Sequence, residues 1–227
     1  MAGGKGARLD PFTRILPKPL IPIGKKPIIE IIMDNFAKTG CHKFYLTVNY
    51  KGEMIKSYFD NTDSGYKVRY IWEKKYLGTA GSLRLLPDDF AQTFFVTNCD
   101  VIVKTDYLDM LSFHKENRNA MTMVGSVQHY EIPYGVLKIK NGGRLKCINE
   151  KPEYDFIVNA GLYIIEKEIL THIPKNKFCD ITDFIATLHK NNLKIGVYPV
   201  SQNSYIDIGE WKKYQNTLNN IAEKLDV

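Results

Sequence analysis

PIIEIIMDNFAKTGCHKFYLTVNYKGEMIKSYFD, residues 27–60, holds one complete helix–strand–helix alternation. Pro27 stands where a helix begins and Gly40 just past where it ends, so 27–40 reads as a helix. KFYLTVNY (43–50) is rich in β-branched and aromatic residues and reads as a strand. GEMIKSYFD (52–60) returns to helical spacing. Further along, KVRYIWE (67–73) and TFFVTN (93–98) read as strands and GSLRLLPDD (81–89) as a short helix. This alternation predicts an α/β fold with a mostly parallel sheet covered on both faces.

After Asp100 the texture changes. Residues 106–117 read as a helix and 120–127 as a strand. YGVLKIK (134–140) and LKCINEKP (145–152), joined by Asn141-Gly142-Gly143, predict a hairpin. FIVNAGLYII (156–165) is a nearly all-apolar strand, and Asn159 within it is expected to be buried and to need partners. Residues 180–192 and 210–225 read as helices, the former with Asp180 as N-cap. Short strands are expected at 195–200 and 204–207. No repeat or linker interrupts the chain, so 1–227 reads as a single domain with a hairpin-rich part.

The composition excludes several classes. The chain has 227 residues, 44% hydrophobic and 25% charged, which is ordinary globular composition and neither disordered nor fibrous. A chain of this size removes about 70% of its unfolded surface from water. No apolar run reaches the ~18 residues of a membrane span, and the N-terminus has no secretory h-region. Cys41, Cys99, Cys147 and Cys179 are scattered without a C-x-x-C pair, which points to reduced cytoplasmic thiols. The net charge of +6 is spread along the chain without the dense patch that nucleic-acid binding needs.

The N-terminus carries the chemistry. Met1-Ala2-Gly3-Gly4-Lys5-Gly6 lets backbone N–H groups converge on an anion without Cβ interference. It is not a Walker loop, because no Gly-Lys-Ser/Thr follows at the required spacing. Pro17, Pro19 and Pro22 stiffen the next loop and hold Lys18 at a fixed point. Arg8 offers a planar fork and Lys18 a point charge, both suited to phosphoryl oxygens. A phosphate loop of this type ordinarily follows a buried strand, and here no strand precedes it. A first strand upstream of residue 1, with Met1 as an interior residue, is the expectation.

GGKGARLDPFTRILPKPLIPIGKKPIIE resembles the signature of the sugar-1-phosphate nucleotidylyltransferases, G-G-x-G-x-R-L-x-P-x-T-x-x-x-P-K-P-x-x-P-x, at every fixed position. Later landmarks recur in the family's order. They are Leu77-Gly78-Thr79-Ala80-Gly81, Asn98-Cys99-Asp100, Tyr134-Gly135-Val136, Glu150-Lys151-Pro152, Val158-Asn159-Ala160-Gly161 and Tyr205-Ile206-Asp207-Ile208-Gly209. Two positions depart from the usual pattern: Cys99 replaces a smaller residue and Tyr205 the commoner Trp. Cys99 reads as a filler and not a nucleophile, since no His/Asn partner motif accompanies it.

The resemblance implies a Rossmann-like three-layer sandwich with a mostly parallel mixed central sheet and a hairpin-rich sugar-binding part. It implies an enzyme that moves a nucleotidyl group from a nucleoside triphosphate to a sugar 1-phosphate, releasing pyrophosphate. By resemblance Ala2, Gly3, Gly4, Gly6, Gly78 and Thr79 bind the nucleotide. Arg8, Lys18 and Asp100 carry the catalysis, and Asp100 with Asp207 holds Mg²⁺. The sugar phosphate falls to Gly135, Glu150, Lys151, Asn159 and Gly161. The opening is most similar to a bacterial branch with upstream CBS domains that includes glucosamine-1-phosphate guanylyltransferases. That favours GTP with glucosamine-1-phosphate or a related hexose-1-phosphate, while the Leu-Gly-Thr-Ala-Gly loop leaves the base open. A homo-oligomer is compatible with such a sheet. The rival readings are a catalytically silent nucleotide-sugar-binding module of the same fold and a glycosyltransferase, whose D-x-D motif Asp100-Val101-Ile102 lacks.

Overall fold

Pro27 and Gly40 bracket a helix as expected: in the computed structural model it runs Ile28–Ala37, with Pro27 at the N-cap and Gly40 at φ 88° just beyond. The structure describes residues 1–62, 65–209 and 214–215. The expected helix over 210–225 lies outside the described residues, Tyr214 and Gln215 apart.

The elements follow in chain order. The first half holds α1 (Phe12–Ile15), β1 (Pro22–Ile23), β2 (Lys26–Pro27), α2 (Ile28–Ala37), β3 (Lys43–Val48), α3 (Gly52–Asp60) and β4 (Lys67–Trp72). Then come α4 (Gly78–Gly81), β5 (Thr93–Thr97), β6 (Val101–Val103), α5 (Tyr107–Glu116), β7 (Met121–Glu131), β8 (Val136–Ile139) and β9 (Leu145–Asn149). The last are β10 (Glu153–Glu166), α6 (Ile181–Lys190), β11 (Ile195–Val200) and β12 (Tyr205–Asp207). The helix expected over 81–89 starts earlier, as α4 plus a 3-10 turn over Ser82–Leu85. It stops before Pro87, because the residue preceding a proline avoids helical backbone.

The pairing is mixed. β11 runs parallel to β7, and β10 lies antiparallel between β7 and β5. β3 and β4 pair in parallel, β12 pairs antiparallel with β6, and β8 with β9 forms the expected hairpin. Alternation along β10 shows how the layers form. Leu162 and Ile164 enter one apolar cluster with Ile32 and Phe36 of α2 and Met110 of α5. Tyr163 and Ile165 enter another with Phe184 and Leu188 of α6. Successive strand residues point to opposite faces, so helices cover both sides. A third cluster joins Ala2, Met33 of α2, Val48 of β3 and Ile55 of α3 under the N-terminal loop.

The N-terminal half of β10 behaves differently. From Glu153 to Ile157 it pairs with β7 outside the three-layer core, and both faces are exposed. Asn159 lies at the edge of this arm. It is exposed, which corrects the burial expected from its apolar neighbours. Those neighbours, Phe156 and Ile157, are themselves exposed.

Candidate active site

Asp100 follows β5 by three residues and immediately precedes β6. β12 pairs with β6 in a register that sets Asp207 opposite Val101. Ile208 N–H donates to the Asp100 carbonyl at 3.0 Å, which ties the two carboxylate-bearing segments together. Lys18 arrives from the proline-stiffened loop, on a short 3-10 turn flanked by Pro17 and Pro19. Its ammonium donates to Asp100 Oδ2, and both side chains are largely buried.

Gly209 shows how closely the three groups converge. A Cβ there would lie 2.9 Å from Asp207 Oδ1, 3.0 Å from Asp100 Oδ2 and 3.2 Å from Lys18 Nζ. Gly209 N–H also donates to Asp207 Oδ1 at 2.8 Å and fixes that carboxylate. Tyr205 flanks the group, its phenol pushed up to about 12 by burial and by the nearby Asp207 and Asp100 carboxylates. Arg8 is exposed on the turn Ala7–Leu9 and lies close enough to Tyr205 for its charge to oppose that rise.

The glycine-rich loop adjoins this cluster. Ala2 is buried and its N–H donates to the Thr47 carbonyl at 2.9 Å. Gly6 lies against Thr13 and the Lys18 side chain, and Gly4 faces open space. Gly3 has no room for a side chain, because its Cβ would sit 2.5 Å from Glu73 Oε1. The other Glu73 oxygen accepts from Leu77 N–H at 2.9 Å. Glu73 therefore stands between the glycine-rich loop and the 77–81 loop, and burial pushes its carboxyl upward. Sequence reading passed over Glu73, which resembles one more surface charge beside Lys74 and Lys75. The signal available was its place at the end of a strand, four residues before a glycine-rich turn.

Gly78 and Thr79 are held by the N-terminus of α6. Asp180 occupies the N-cap position as expected, but its carboxylate accepts from Thr79 N–H and Oγ1–H at 3.1 and 3.3 Å. Thr79 Oγ1 in turn accepts from Ile181 N–H at 2.8 Å, so the threonine caps the helix. Gly78, at φ 81°, presses on the Cys179 carbonyl, which a Cβ would approach to 2.5 Å.

The residues expected for the sugar phosphate form a second group. Gly135 packs against Glu150, whose carboxylate would be 2.8 Å from an added Cβ. Lys151 follows on an exposed bend at φ 42°. Asn159 donates to Tyr163 Oη at 2.9 Å and accepts from Gly161 N–H at 3.0 Å. The first of these bonds spans the bulge between Asn159 and Tyr163, and the second lies within it. Gly161, at φ 72°, abuts the Asn98 amide, and Asn98 N–H donates to the Gly161 carbonyl at 2.9 Å. The bulge is thereby attached to the segment that bears Asp100.

Cys99, partly buried, stands next to Asp100. Burial pushes its thiol up to about 11, which keeps it protonated at neutral pH. Among the described residues no three His, Cys, Asp or Glu side chains gather as a metal-ligand set. The Asp100–Asp207 pair alone suits a hard cation that takes its other ligands from phosphate oxygens and water.

The nucleotidyl transferase family model matches residues 1–224. The chain belongs to the nucleotidyl transferase family. It is 28% identical to a UTP–glucose-1-phosphate uridylyltransferase of Synechocystis sp., over 99% of this chain and 63% of that protein. It is 35% identical to a mannose-1-phosphate guanylyltransferase catalytic subunit beta of Dictyostelium discoideum, over 77% of this chain and 51% of the relative. This family member thus spans about half to two-thirds of the curated relatives it matches. Among solved structures, HddC from Yersinia pseudotuberculosis superposes with a TM-score of 0.76 at 26% identity, covering 97% of this chain and 96% of that one. HddC has also been solved with GMP-PN, at a TM-score of 0.73 and 25% identity. Among the described residues of this chain no helix is long and apolar enough to cross a membrane.

Proposed function

We propose that residues 1–227 act as one domain that transfers a nucleotidyl group from a nucleoside triphosphate to a sugar 1-phosphate. The observation that carries this reading is the convergence of Lys18, Asp100 and Asp207 around Gly209. One cation and two carboxylates at the mouth of a glycine-rich loop suit a polyphosphate, which must be positioned and neutralised more than chemically activated.

An oxygen of the sugar phosphate attacks the α-phosphorus. The bond from the α-phosphorus to the bridging oxygen breaks, and pyrophosphate leaves with the electron pair. No general base is required, because the attacking phosphate oxygen is already ionised. Amides of Gly3, Gly4 and Gly6, with Arg8 and Lys18, bind the triphosphate and stabilise its developing charge, while Ala2, whose N–H is already given to the Thr47 carbonyl, anchors the loop beside the nucleotide. Gly78 and Thr79 offer backbone to the base and ribose. Glu150, Lys151, Gly135, Asn159 and Gly161 hold the sugar phosphate on the opposite side. Asp100 and Asp207 would hold Mg²⁺, which when bound supplies charge neutralisation and alignment of the two reactants.

GTP is the favoured nucleotide, supported by the guanylyltransferase relatives and by the GMP-PN complex of HddC. The favoured acceptor is glucosamine-1-phosphate or a related hexose-1-phosphate. Upstream CBS domains, assembly into a homo-oligomer and a cytoplasmic location complete the reading.

Pyrophosphate release tests it. Glucosamine-, mannose- and glucose-1-phosphate are each offered with GTP, dTTP, UTP, CTP and ATP in the presence of Mg²⁺. Release confined to GTP and one hexose-1-phosphate is expected. Silence across the grid from a folded chain that still binds nucleotide would favour the binding-module reading.

A further inference from the structure

Two aromatic rings stand exposed beside the loop that carries Gly78 and Thr79. Tyr76 is 46% exposed and Phe178 57%. Their centroids lie 6.0 Å apart with the planes at 61°, an edge-to-face pair that leaves ring surface open. Both are fixed through the backbone. Leu77 N–H donates to Glu73 Oε2 at 2.9 Å and closes the turn that holds Tyr76. Cys179 N–H donates to the Leu77 carbonyl at 2.9 Å, and Ala80 and Gly81 N–H donate to the Cys179 carbonyl at 2.9 and 3.0 Å. The segment with Phe178 is thereby tied to the segment with Tyr76.

Tyr76 leans inward. Burial pushes its phenol up, and the Asp180, Glu73 and Cys99 groups add to the rise, so its hydroxyl end lies near all three. Asp180 holds Thr79, Glu73 adjoins Gly3, and Cys99 precedes Asp100. These segments border the expected nucleotide. Lys74, Lys75 and Lys177 are exposed next to the two rings in the chain, so the rim is cationic as well as aromatic. An anionic aromatic ligand fits such a rim better than an apolar protein face does.

We propose that Tyr76, braced by Phe178, stacks on the base of the bound nucleoside triphosphate and favours purines over pyrimidines. This rests on the reading of Gly78 and Thr79 as the backbone beside base and ribose. Every base has a π-face to lay on an aromatic ring, and preferences among bases come from the strength of stacking. A purine offers two fused rings and a pyrimidine one, so the purine gains more. Tyr76 is already ordered by its neighbours, so little conformational freedom is lost when a base arrives. Phe178 is a positioning residue, which sets the tilt of the Tyr76 ring.

The test measures affinity by calorimetry for GTP, ATP, UTP and CTP with Mg²⁺ and no sugar phosphate, so that turnover plays no part. Tyr76→Leu should weaken GTP and ATP by at least ~10-fold and UTP and CTP by less than ~3-fold, while Tyr76→Phe keeps the parent affinities. Phe178→Leu, which keeps the stacking ring and frees its tilt, should fall between the two. A merely structural loss would weaken all four nucleotides together. The triphosphate of 2-aminopurine riboside, whose emission is quenched by stacking, adds a spectroscopic readout. At saturating protein the parent chain and Tyr76→Phe should quench it, and Tyr76→Leu should not. Equal weakening of purines and pyrimidines, unchanged GTP affinity in Tyr76→Leu, or a parent chain that prefers UTP would overturn the proposal and leave nucleotidyl transfer standing. A folded parent chain that binds none of the four nucleotides would overturn both.

Discussion

The Lys18 ammonium is hydrogen-bonded to Asp100 Oδ2 across 82 residues of sequence, and the two side chains are only 11% and 16% exposed. In the proposed function a triphosphate would compete with Asp100 for the Lys18 donors and would leave the Asp100 carboxylate available to a cation.

Lys18→Ala and Asp100→Asn each remove one preorganised charge. Each should lower kcat for pyrophosphate release by at least ~10²-fold. Steady-state assays at saturating nucleotide check this, and near-normal turnover in either variant would take that residue out of the mechanism.

Gly209→Ala places a methyl group 2.9–3.2 Å from Asp207, Asp100 and Lys18. Those contacts are tighter than ordinary packing, so the ends of these three side chains must give by a few tenths of an ångström. Activity should fall at least ~10-fold, on the scale of a small misplacement of reacting groups. A circular dichroism spectrum like that of the parent chain would show that the loss is local. Full activity would mean that the convergence is irrelevant to turnover.

Glu73 supplies a pH signature. Burial raises its folded pKa above the unfolded value, so the folded state holds that proton more tightly. Stability from this group is therefore complete below the unfolded pKa near ~4.3 and declines as pH rises through the folded pKa. Glu73→Gln removes the titration and keeps an acceptor for Leu77 N–H. Melting curves should show the variant gaining on the parent chain as pH rises from about 4 upward. A difference in melting temperature that stays constant with pH would show that Glu73 does not titrate between the folded and unfolded states in this way.

Cys99→Ala should keep turnover within about threefold, because a thiol whose pKa is pushed up to about 11 supplies almost no thiolate at neutral pH. Iodoacetamide at pH 8 should leave Cys99 unlabelled in the folded chain. Loss of activity in Cys99→Ala without a change in melting temperature would contradict the filler role.

Much of this was legible in the residues. α3 spans Gly52–Asp60 as its spacing predicts, and Pro27 with Gly40 delimits α2. The proline-stiffened loop around Lys18 announced a fixed cation, and Asp100 stands just past β5 as a strand-end carboxylate should. What was hidden depends on distant pairing. Nearly continuous apolar residues at 156–165 fit a parallel or an antiparallel strand equally, and the antiparallel choice is made by β5 and β7. The exposure of Asn159 follows from the ribbon of β7 and β10 leaving the core, which its apolar neighbours conceal. Glu73 and Gly209 owe their places to contacts with Gly3, Leu77, Asp100 and Asp207 that only the folded chain assembles.

Transfer at the α-phosphorus is followed by labelling that atom. GTP radiolabelled at the α-phosphorus is incubated with the chain, Mg²⁺ and a hexose-1-phosphate, in parallel with GTP labelled at the γ-phosphorus. The α-label should appear in a guanosine diphosphate sugar and the γ-label in pyrophosphate alone. Release of γ-label as inorganic phosphate, or retention of both labels in GTP by a folded chain, would contradict it.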